Sequence, residues 1–435
     1  MERIGKYEVR KLLGEGATSS VYLCFDPFSQ QEVAIKRLHP EMLRATDHTT
    51  LYHHMLLNEA SLAGKLHHPH IVRILDAVIE DRDAYVVMEY VPGGTLEPFT
   101  RPDNLLSFER LVEITFKCTR ALDYASLQGV THRDIKPANV LLTAPGGQDI
   151  KISDFGAAIF TASETTRLSG LGSPAYMSPE QVREEPLDHR TDIYSLGVLM
   201  YQLLTGRLPF ECSSKVSLVY QIAHETPPPP SSLRPEIPPE LDAIVTRAMP
   251  REPAGRYATW RDFSHDLAAA YRNRALVADR QAPPDSEKFE RLRAFRFFRE
   301  FNDVEIWEVV RLAEWHLIPP DTVVMREGEP GNYFCFVVEG ELRIVKQKHL
   351  LNVLSPGDCF GEMALFSAGR GARTASVETT RETRILTIRA PALLRASSLC
   401  QMHFYKGFLE VLASRLSLAN SRIASIKRDA PRPSV

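Results

Sequence analysis

"THRDIKPANV", residues 131–140, is the stretch on which the fold turns. Asp134 can accept the proton of an incoming hydroxyl. Lys136, two residues later, can neutralise charge on a phosphoryl group in transit, and Asn139 supplies an oxygen ligand for Mg²⁺. Fifteen residues beyond Asn139, within "SDFG", Asp154 is suited to chelating a metal between phosphates. Each would be an unremarkable surface group alone. Their order and spacing together point to phosphoryl transfer.

Upstream, "LGEGATSSVY" (residues 13–22) places Gly14 and Gly16 in a turn between two predicted strands, where backbone N–H groups can approach phosphate oxygens. The pattern G-x-G-x-x-G is incomplete, because Ser19 holds the third position, and by itself the motif is weak. "VAIK" then puts Lys36 on the next strand. Glu59, in the following helix, can reach back to pair with it and hold the ammonium over α- and β-phosphates. A plain surface ion pair is the alternative.

Around these motifs the periodicity is two-part. "YEVRKLLGEG", "SSVYLCFD", "EVAIKRL", "IVRILDAVIE" and "AYVVMEYV" alternate as strands of an antiparallel sheet, and "LYHHMLLNEASLAGKL" predicts a helix among them. After residue 105 the pattern is mainly helical, with "FERLVEITFKCTRALDYASL", "TDIYSLGVLMYQLLTG", "ELDAIVTRAM" and "WRDFSHDLAAAYRN". The prolines at 227–230 predict a rigid internal loop. Residues 272–288 are polar and carry Pro283 and Pro284, which predicts a linker. "KFERLRAFRFFREF" into "VEIWEVVRLAEW" predicts a helix, and strands then recur every eight to twelve residues, as in a small sandwich or barrel. A final amphipathic helix spans 405–426, with Phe408, Leu412, Leu416 and Ile423 on its apolar side. Residues 421–435 are set apart as a C-terminal tail ending in the disorder-prone "KRDAPRPSV".

The 435 residues suggest about two to four domains. A net charge of −3 carries no basic excess that would point to nucleic acid. No run approaches the roughly 18 apolar residues of a membrane span, and "MERIGKYEVR" lacks the apolar core of a signal peptide. The six cysteines are scattered without a C-x-x-C pair, which argues against a zinc site or disulfide framework and for reduced thiols in a cytoplasmic protein.

With these motifs in place, residues 7–271 resemble the serine/threonine protein kinase fold, most closely the bacterial eukaryotic-like (Hanks-type) kinases. The resemblance runs through the glycine-rich loop, VAIK, HRD-I-K-P-x-N, DFG, "SPE" at 178–180 in place of APE, "DIYSLG" and "REPAGRY". It implies ATP and Mg²⁺, Asp134 as base, Lys136 as the serine/threonine-type signature, and a Glu180–Arg256 pair in the helical lobe. It further implies that Leu13, Gly14, Gly16, Val21, Ala34, Lys36, Glu59, Met88, Glu89 and Val91 hold ATP, with Asn139 and Asp154 on the metal. Arg133, just before the base, can order a phosphorylated activation loop in kinases that carry it. Thr161, Ser163, Thr165, Thr166 and Ser169 offer hydroxyls there, with Thr165 and Thr166 favoured. Two departures, Ser19 for glycine and Ser178 for alanine, touch neither metal nor base.

"FGEMALFSAGRGARTASV", residues 360–377, presents a second chemistry. A carboxylate such as Glu362 can accept from a ribose 2′-OH, and an arginine such as Arg373 can hold exocyclic phosphate oxygens in a fork. The turn after Gly361 adds N–H donors. Residues 290–420 resemble the cyclic nucleotide-binding domain, with early glycines at Gly328, Gly331 and Gly340 and a phosphate-binding cassette at "FGEMAL...RTASV". The resemblance implies that Glu362 takes the ribose and Arg373 the phosphate, with Gly361, Met363, Thr374 and Ala375 lining the site. The cassette is about two residues longer than the common form, so Arg370 competes with Arg373. Thr374 is compatible with some preference for cGMP, although cAMP is slightly favoured in a bacterial chain.

The expectation is therefore an α+β chain. A bilobal protein kinase fold (7–271) with a small β-rich lobe and a large helical lobe is followed by a linker (272–288). A small β-barrel or jelly-roll cyclic nucleotide-binding domain with flanking helices (289–420) and a tail (421–435) complete it. It would phosphorylate serine or threonine in protein substrates under cyclic nucleotide control, and a homodimer is a further arrangement it admits. The rivals are a constitutive kinase with an assembly-only back domain, and a non-catalytic nucleotide-binding scaffold.

Overall fold

The computed structural model describes residues 2–16, 18–40, 61, 65–80, 83–155, 159–160, 174–212, 214–272, 283–363 and 372–429. The chain divides into two units, Met1–Ala278 and Asp279–Val435.

In the first unit six strands form one antiparallel sheet: β1 (Arg3–Ile4), β2 (Tyr7–Glu15), β3 (Ser19–Asp26), β4 (Gln31–Leu38), β5 (Ile74–Glu80) and β6 (Asp83–Glu89), ordered β1-β2-β3-β4-β6-β5. The two-residue period of a strand divides their side chains between faces. Val33, Ile35, Tyr85 and Val87 enter one cluster with Tyr7 and Cys24. Ala34 and Met88 enter another on the opposite face. The register sets Val21 opposite Lys36 and Ala34 opposite Met88. Gly14 is itself inside β2, opposite Val21, so only Gly16 of the two expected turn glycines lies in the turn.

The rest of this unit is mainly helical. Helix Phe108–Leu127 starts at Ser107, whose hydroxyl caps Arg110 N at 3.3 Å, and it buries Leu111, Val112, Ile114, Phe116, Ala121 and Leu122. Helix His189–Thr205 is capped by the Asp188 side chain and closed by Gly206. Two short antiparallel strand pairs accompany these helices: β7 (Val130–Thr131) with β10 (Ile159–Phe160), and the hairpin of β8 (Val140–Leu142) with β9 (Ile150–Ile152). They hold the ends of the loop 132–139 and deliver Asp154 just past β9.

The second unit opens with helix Asp285–Ala294, which starts inside the stretch expected as linker. Its first turn follows Pro284 and carries Asp285 and Glu287, favourable at a helix N-terminus. Phe289 anchors it, buried with its ring 4.8 Å from Trp307. The expected continuous helix breaks at Phe295, which is extended, and "EWHLI" is a strand rather than the end of a helix. Two four-stranded antiparallel sheets follow. One is ordered β11 (Glu314–Ile318), β18 (Thr383–Arg389), β13 (Tyr333–Glu339), β16 (Cys359–Phe360). The other is ordered β12 (Val323–Met325), β17 (Ser376–Thr379), β14 (Leu342–Lys346), β15 (His349–Leu354). Met325, Cys335, Val337, Leu342, Leu354, Phe360, Val377 and Ile385 fill the space between them. The terminal helix, Ser398–Asp429, continues through much of the expected tail, because no proline or glycine interrupts that stretch before Pro431. Its early turns are fixed by Phe404 and Phe408, which pack among Phe297, Phe334 and Phe336. Among the described residues no helix is long and apolar enough to cross a membrane.

Candidate active site and ligand site

Loop 132–139 is suspended from a buried acid. Asp192, in the first turn of helix His189–Thr205, accepts from His132 N and Arg133 N, each at 2.7 Å. Burial pushes its carboxyl up, although His132, Arg133 and these two N–H groups pull the other way. Arg133 O accepts from Gln181 Nε2 at 2.9 Å. These bonds hold Arg133 at φ 68°, a left-handed backbone that costs a non-glycine residue about 1–3 kcal/mol. His132 is buried and joins two chain segments: Nδ1 accepts from Asp134 N at 3.2 Å, and Nε2 meets Ser153 O at 2.9 Å. That pattern puts an Nε2 proton toward Ser153 O.

Asp134 is thereby held at the loop's turn. Lys136 Nζ lies 2.7 Å from its Oδ2, and Asn139 Nδ2 donates to Asp134 O at 2.7 Å and to Oδ2 at 3.1 Å. With the amide nitrogen engaged, the Asn139 oxygen is the atom left to ligate a cation. Asp154, also left-handed at φ 63°, pairs with Lys36 across the cleft. Burial raises its pKa, but Lys36, His132 and Lys136 outweigh that and hold it below the usual carboxylate range. Lys36 and Asp154 thus meet, as do Asp134, Lys136 and Asn139. Among the described residues no group of three His, Cys, Asp or Glu side chains forms a metal site. A cation here would rely on Asp154, Asn139 and phosphate oxygens, the mixed set that suits Mg²⁺.

An apolar shelf adjoins Lys36. Ala34, Val72 and Met88 are buried together, with Val21, Val91 and Leu141 packed against them. Val72 and Leu141 escape sequence reasoning because isolated apolar residues carry no motif. Leu13 is 38% exposed on β2. The Glu89 side chain is engaged elsewhere, accepting from Arg73 N and Lys151 Nζ, both at 2.7 Å, so only its backbone can serve a nucleotide base. A Cβ on Gly14 would meet nothing within 4 Å, which leaves its surface open. Beside Lys136, a groove of about 1090 Å³ is lined by Thr95, Glu97, Arg101, Asp103 and Tyr176. The Glu180–Arg256 pair implied by the resemblance is present and bidentate, with two contacts of 2.7 Å. Glu59, Thr165, Thr166, Ser169 and the other loop hydroxyls lie outside the described residues.

In the second unit Gly361, Glu362, Met363, Arg373 and Thr374 come together. Arg373 is 5% exposed, donates from Nη1 to Gly361 O at 2.9 Å, and lies over the Tyr333 ring at 4.4 Å. Its guanidinium occupies a cradle that only glycines permit. A Cβ on Gly331 would sit 2.3 Å from Arg373 Cζ, and one on Gly361 would sit 2.8 Å from Nη1. Among the described residues Arg373 Nη2 and Glu362 Oε2 are buried without a hydrogen-bond partner. One donor and one acceptor in that state fit a ligand offering an anionic oxygen and a hydroxyl. Thr374 Oγ1 lies 3.8 Å from Met363 Sδ, and Ala375 leads into β17. Arg370, the competing arginine, lies outside the described residues. Arg415, from the terminal helix, contacts Glu362 and is not indicated by any local motif.

A family model for the protein kinase domain matches residues 7–267, and one for the cyclic nucleotide-binding domain matches residues 315–398. A probable serine/threonine-protein kinase of Streptomyces coelicolor is 38% identical over 275 residues, covering 61% of this chain and 40% of that protein. The serine/threonine-protein kinase PknB of Mycolicibacterium smegmatis is 35% identical over 278 residues, covering 62% of this chain and 44% of that protein. PknB of Mycobacterium leprae is 36% identical over 269 residues, covering 60% and 42%. The chain therefore spans about two fifths of the length of these relatives.

Proposed function

This chain belongs to the protein kinase family and carries a cyclic nucleotide-binding domain; from that premise we propose that it phosphorylates serine or threonine in protein substrates, and that cAMP or cGMP in the second unit sets the rate. The observation that carries the enzymatic half is the meeting of Lys36 with Asp154 across the cleft, beside the cluster of Asp134, Lys136 and Asn139. When bound, Mg²⁺-ATP supplies the electrophilic γ-phosphoryl group. Lys36 would hold its phosphates, and Ala34, Val72, Met88 and Leu141 would exclude water around its adenine. Asp134 accepts the substrate hydroxyl's proton at Oδ1 or Oδ2, and Asn139 limits how far that carboxylate can turn. Lys136 neutralises charge beside it. The groove next to Lys136 is where a substrate segment would lie. A cytoplasmic setting fits the six free thiols.

Arg133 supports a phosphorylated loop, because its Nε is buried without a hydrogen-bond partner among the described residues. After incubation with Mg²⁺ and ATP, phosphopeptide mass spectrometry should find phosphate within residues 161–169, first at Thr165 or Thr166, and Asp134→Asn should remove it. An active chain with no phosphate between residues 156 and 178 would refute the loop-ordering role of Arg133.

A further inference from the structure

The terminal helix Ser398–Asp429 reaches the second unit's ligand site through one side chain. Arg415 is separated from Glu362 by 53 positions, yet its Nη1 lies 2.5 Å from Glu362 Oε1, and its Nη2 donates to Cys359 O. Glu362 is 1% exposed. Burial pushes its carboxyl up, and Arg415 opposes that ahead of Arg373. The contact takes only one carboxylate oxygen. Oε2 of Glu362 and Nη2 of Arg373 keep their open valences, and Arg415 occupies neither.

We propose that Arg415 is a positioning residue of the ligand site: it holds the Glu362 carboxylate so that Oε2 faces the ribose 2′-hydroxyl, and thereby ties the terminal helix to the ribose end of a bound cyclic nucleotide. This rests on the cyclic nucleotide role assigned above to Glu362 and Arg373. A cation at Oε1 compensates a buried carboxylate that would otherwise stand unpaired, and fixes its orientation. The Cys359 carbonyl gives the planar guanidinium a second acceptor, which sets its own plane. The helix is anchored seven residues earlier by Phe408, 0% exposed, whereas beyond it Leu409 and Leu416 are 66% and 63% exposed. Arg415 is thus a point where the less buried part of the helix touches the site, and ligand on Oε2 strengthens that hold.

The test is calorimetric titration of the full chain with cAMP, cGMP and their 2′-deoxy analogues, comparing wild type, Arg415→Ala, Arg415→Lys and Arg373→Ala. Arg415→Ala should weaken the preferred ribonucleotide by about tenfold or more, as expected when a charge-assisted contact is lost. It should change the affinity of the 2′-deoxy analogue much less, since that ligand has no hydroxyl for Glu362. Arg415→Lys should recover part of the loss. Equal losses for ribo- and deoxy-ligand would reduce Arg415 to a general structural role and overturn the proposal, as would unchanged affinity. If Arg415→Ala does not fold, the lysine variant carries the same ribo-against-deoxy comparison: a loss confined to the ribonucleotide supports the proposal, and equal losses overturn it. Wild-type chain that binds neither ribonucleotide would overturn the cyclic nucleotide assignment itself, and Arg415's role with it.

Discussion

Asp154→Asn should lower autophosphorylation by about 10³-fold, the scale of losing one group aimed at a reacting centre, in a chain that still folds. The wild-type carboxylate is ionised at neutral pH because Lys36, His132 and Lys136 outweigh its burial. Asparagine keeps the volume and tolerates the left-handed backbone at φ 63°, which alanine accepts less readily. What it removes is the negative charge that pairs with Lys36 and would hold a divalent cation. Asp154→Ala should be equally inactive and slightly less stable. Initial rates with labelled ATP, alongside circular dichroism and thermal unfolding, separate chemistry from folding. Wild-type rates in a well-folded Asp154→Asn protein would refute the assigned mechanism.

Arg256→Ala should destabilise the first unit by about 3–5 kcal/mol, the usual cost of orphaning one member of a buried ion pair. The side chains of Arg256 and Glu180 are 0% and 4% exposed. Arg256 also donates to the carbonyls of Pro250, Arg190 and Arg251, and its guanidinium lies 4.9 Å from the Tyr194 ring centre. Removing it leaves Glu180 with the Thr191 hydroxyl as its remaining side-chain donor among the described residues. Burial raises the Glu180 pKa, but Arg256 more than reverses this, so the folded-state value lies below the ordinary 4.5. Its contribution to stability is therefore present above pH 4.5 and lost as pH falls through the lower folded value. In the variant the orphaned carboxylate is shifted up instead, so its penalty shrinks as pH falls. Urea unfolding at pH 7 and at pH 4 should show a large gap between wild type and variant that narrows in acid. A gap under about 1 kcal/mol at pH 7, the scale of an exposed pair, would contradict this role for the buried pair.

The parts of the site that were legible in the sequence are those whose chemistry needs a particular residue at a particular spacing. Asp134, Lys136, Asn139 and Asp154 lie within twenty-one residues, and one short hairpin, β8 with β9, is enough to bring them to one cleft. Glu362 and Arg373 were legible as a carboxylate and an arginine in one cassette, whereas the room that Gly331 and Gly361 leave for the guanidinium shows only in the structure. Asp192 was seen only as part of "DIYSLG", and its role was not read, because its partners are backbone N–H groups, which leave no trace in composition. Val72 and Leu141 were hidden as ordinary apolar residues joined only by the fold. Arg415 was hidden by distance, sitting on a helix whose local pattern says only that it is amphipathic. The break at Phe295 and the strand Glu314–Ile318 were missed because apolar, aromatic-rich runs satisfy helix and strand patterns alike. The longer terminal helix shows the converse, since polar composition at 421–429 suggested a tail while nothing there prevents helix.

A ligand shifts activity only as far as it prefers one state of the chain over another, and coupling between two sites is typically about 1–3 kcal/mol. The most direct measurement is therefore the initial rate of substrate phosphorylation by the full chain against increasing cAMP and cGMP, with Arg373→Ala in parallel. Wild type should change its rate by about 5- to 150-fold, in the direction of activation, and Arg373→Ala should show no response and a normal basal rate. A flat response in wild-type chain that demonstrably binds the nucleotide would contradict ligand control, and would leave the second unit as an assembly module beside a constitutive kinase.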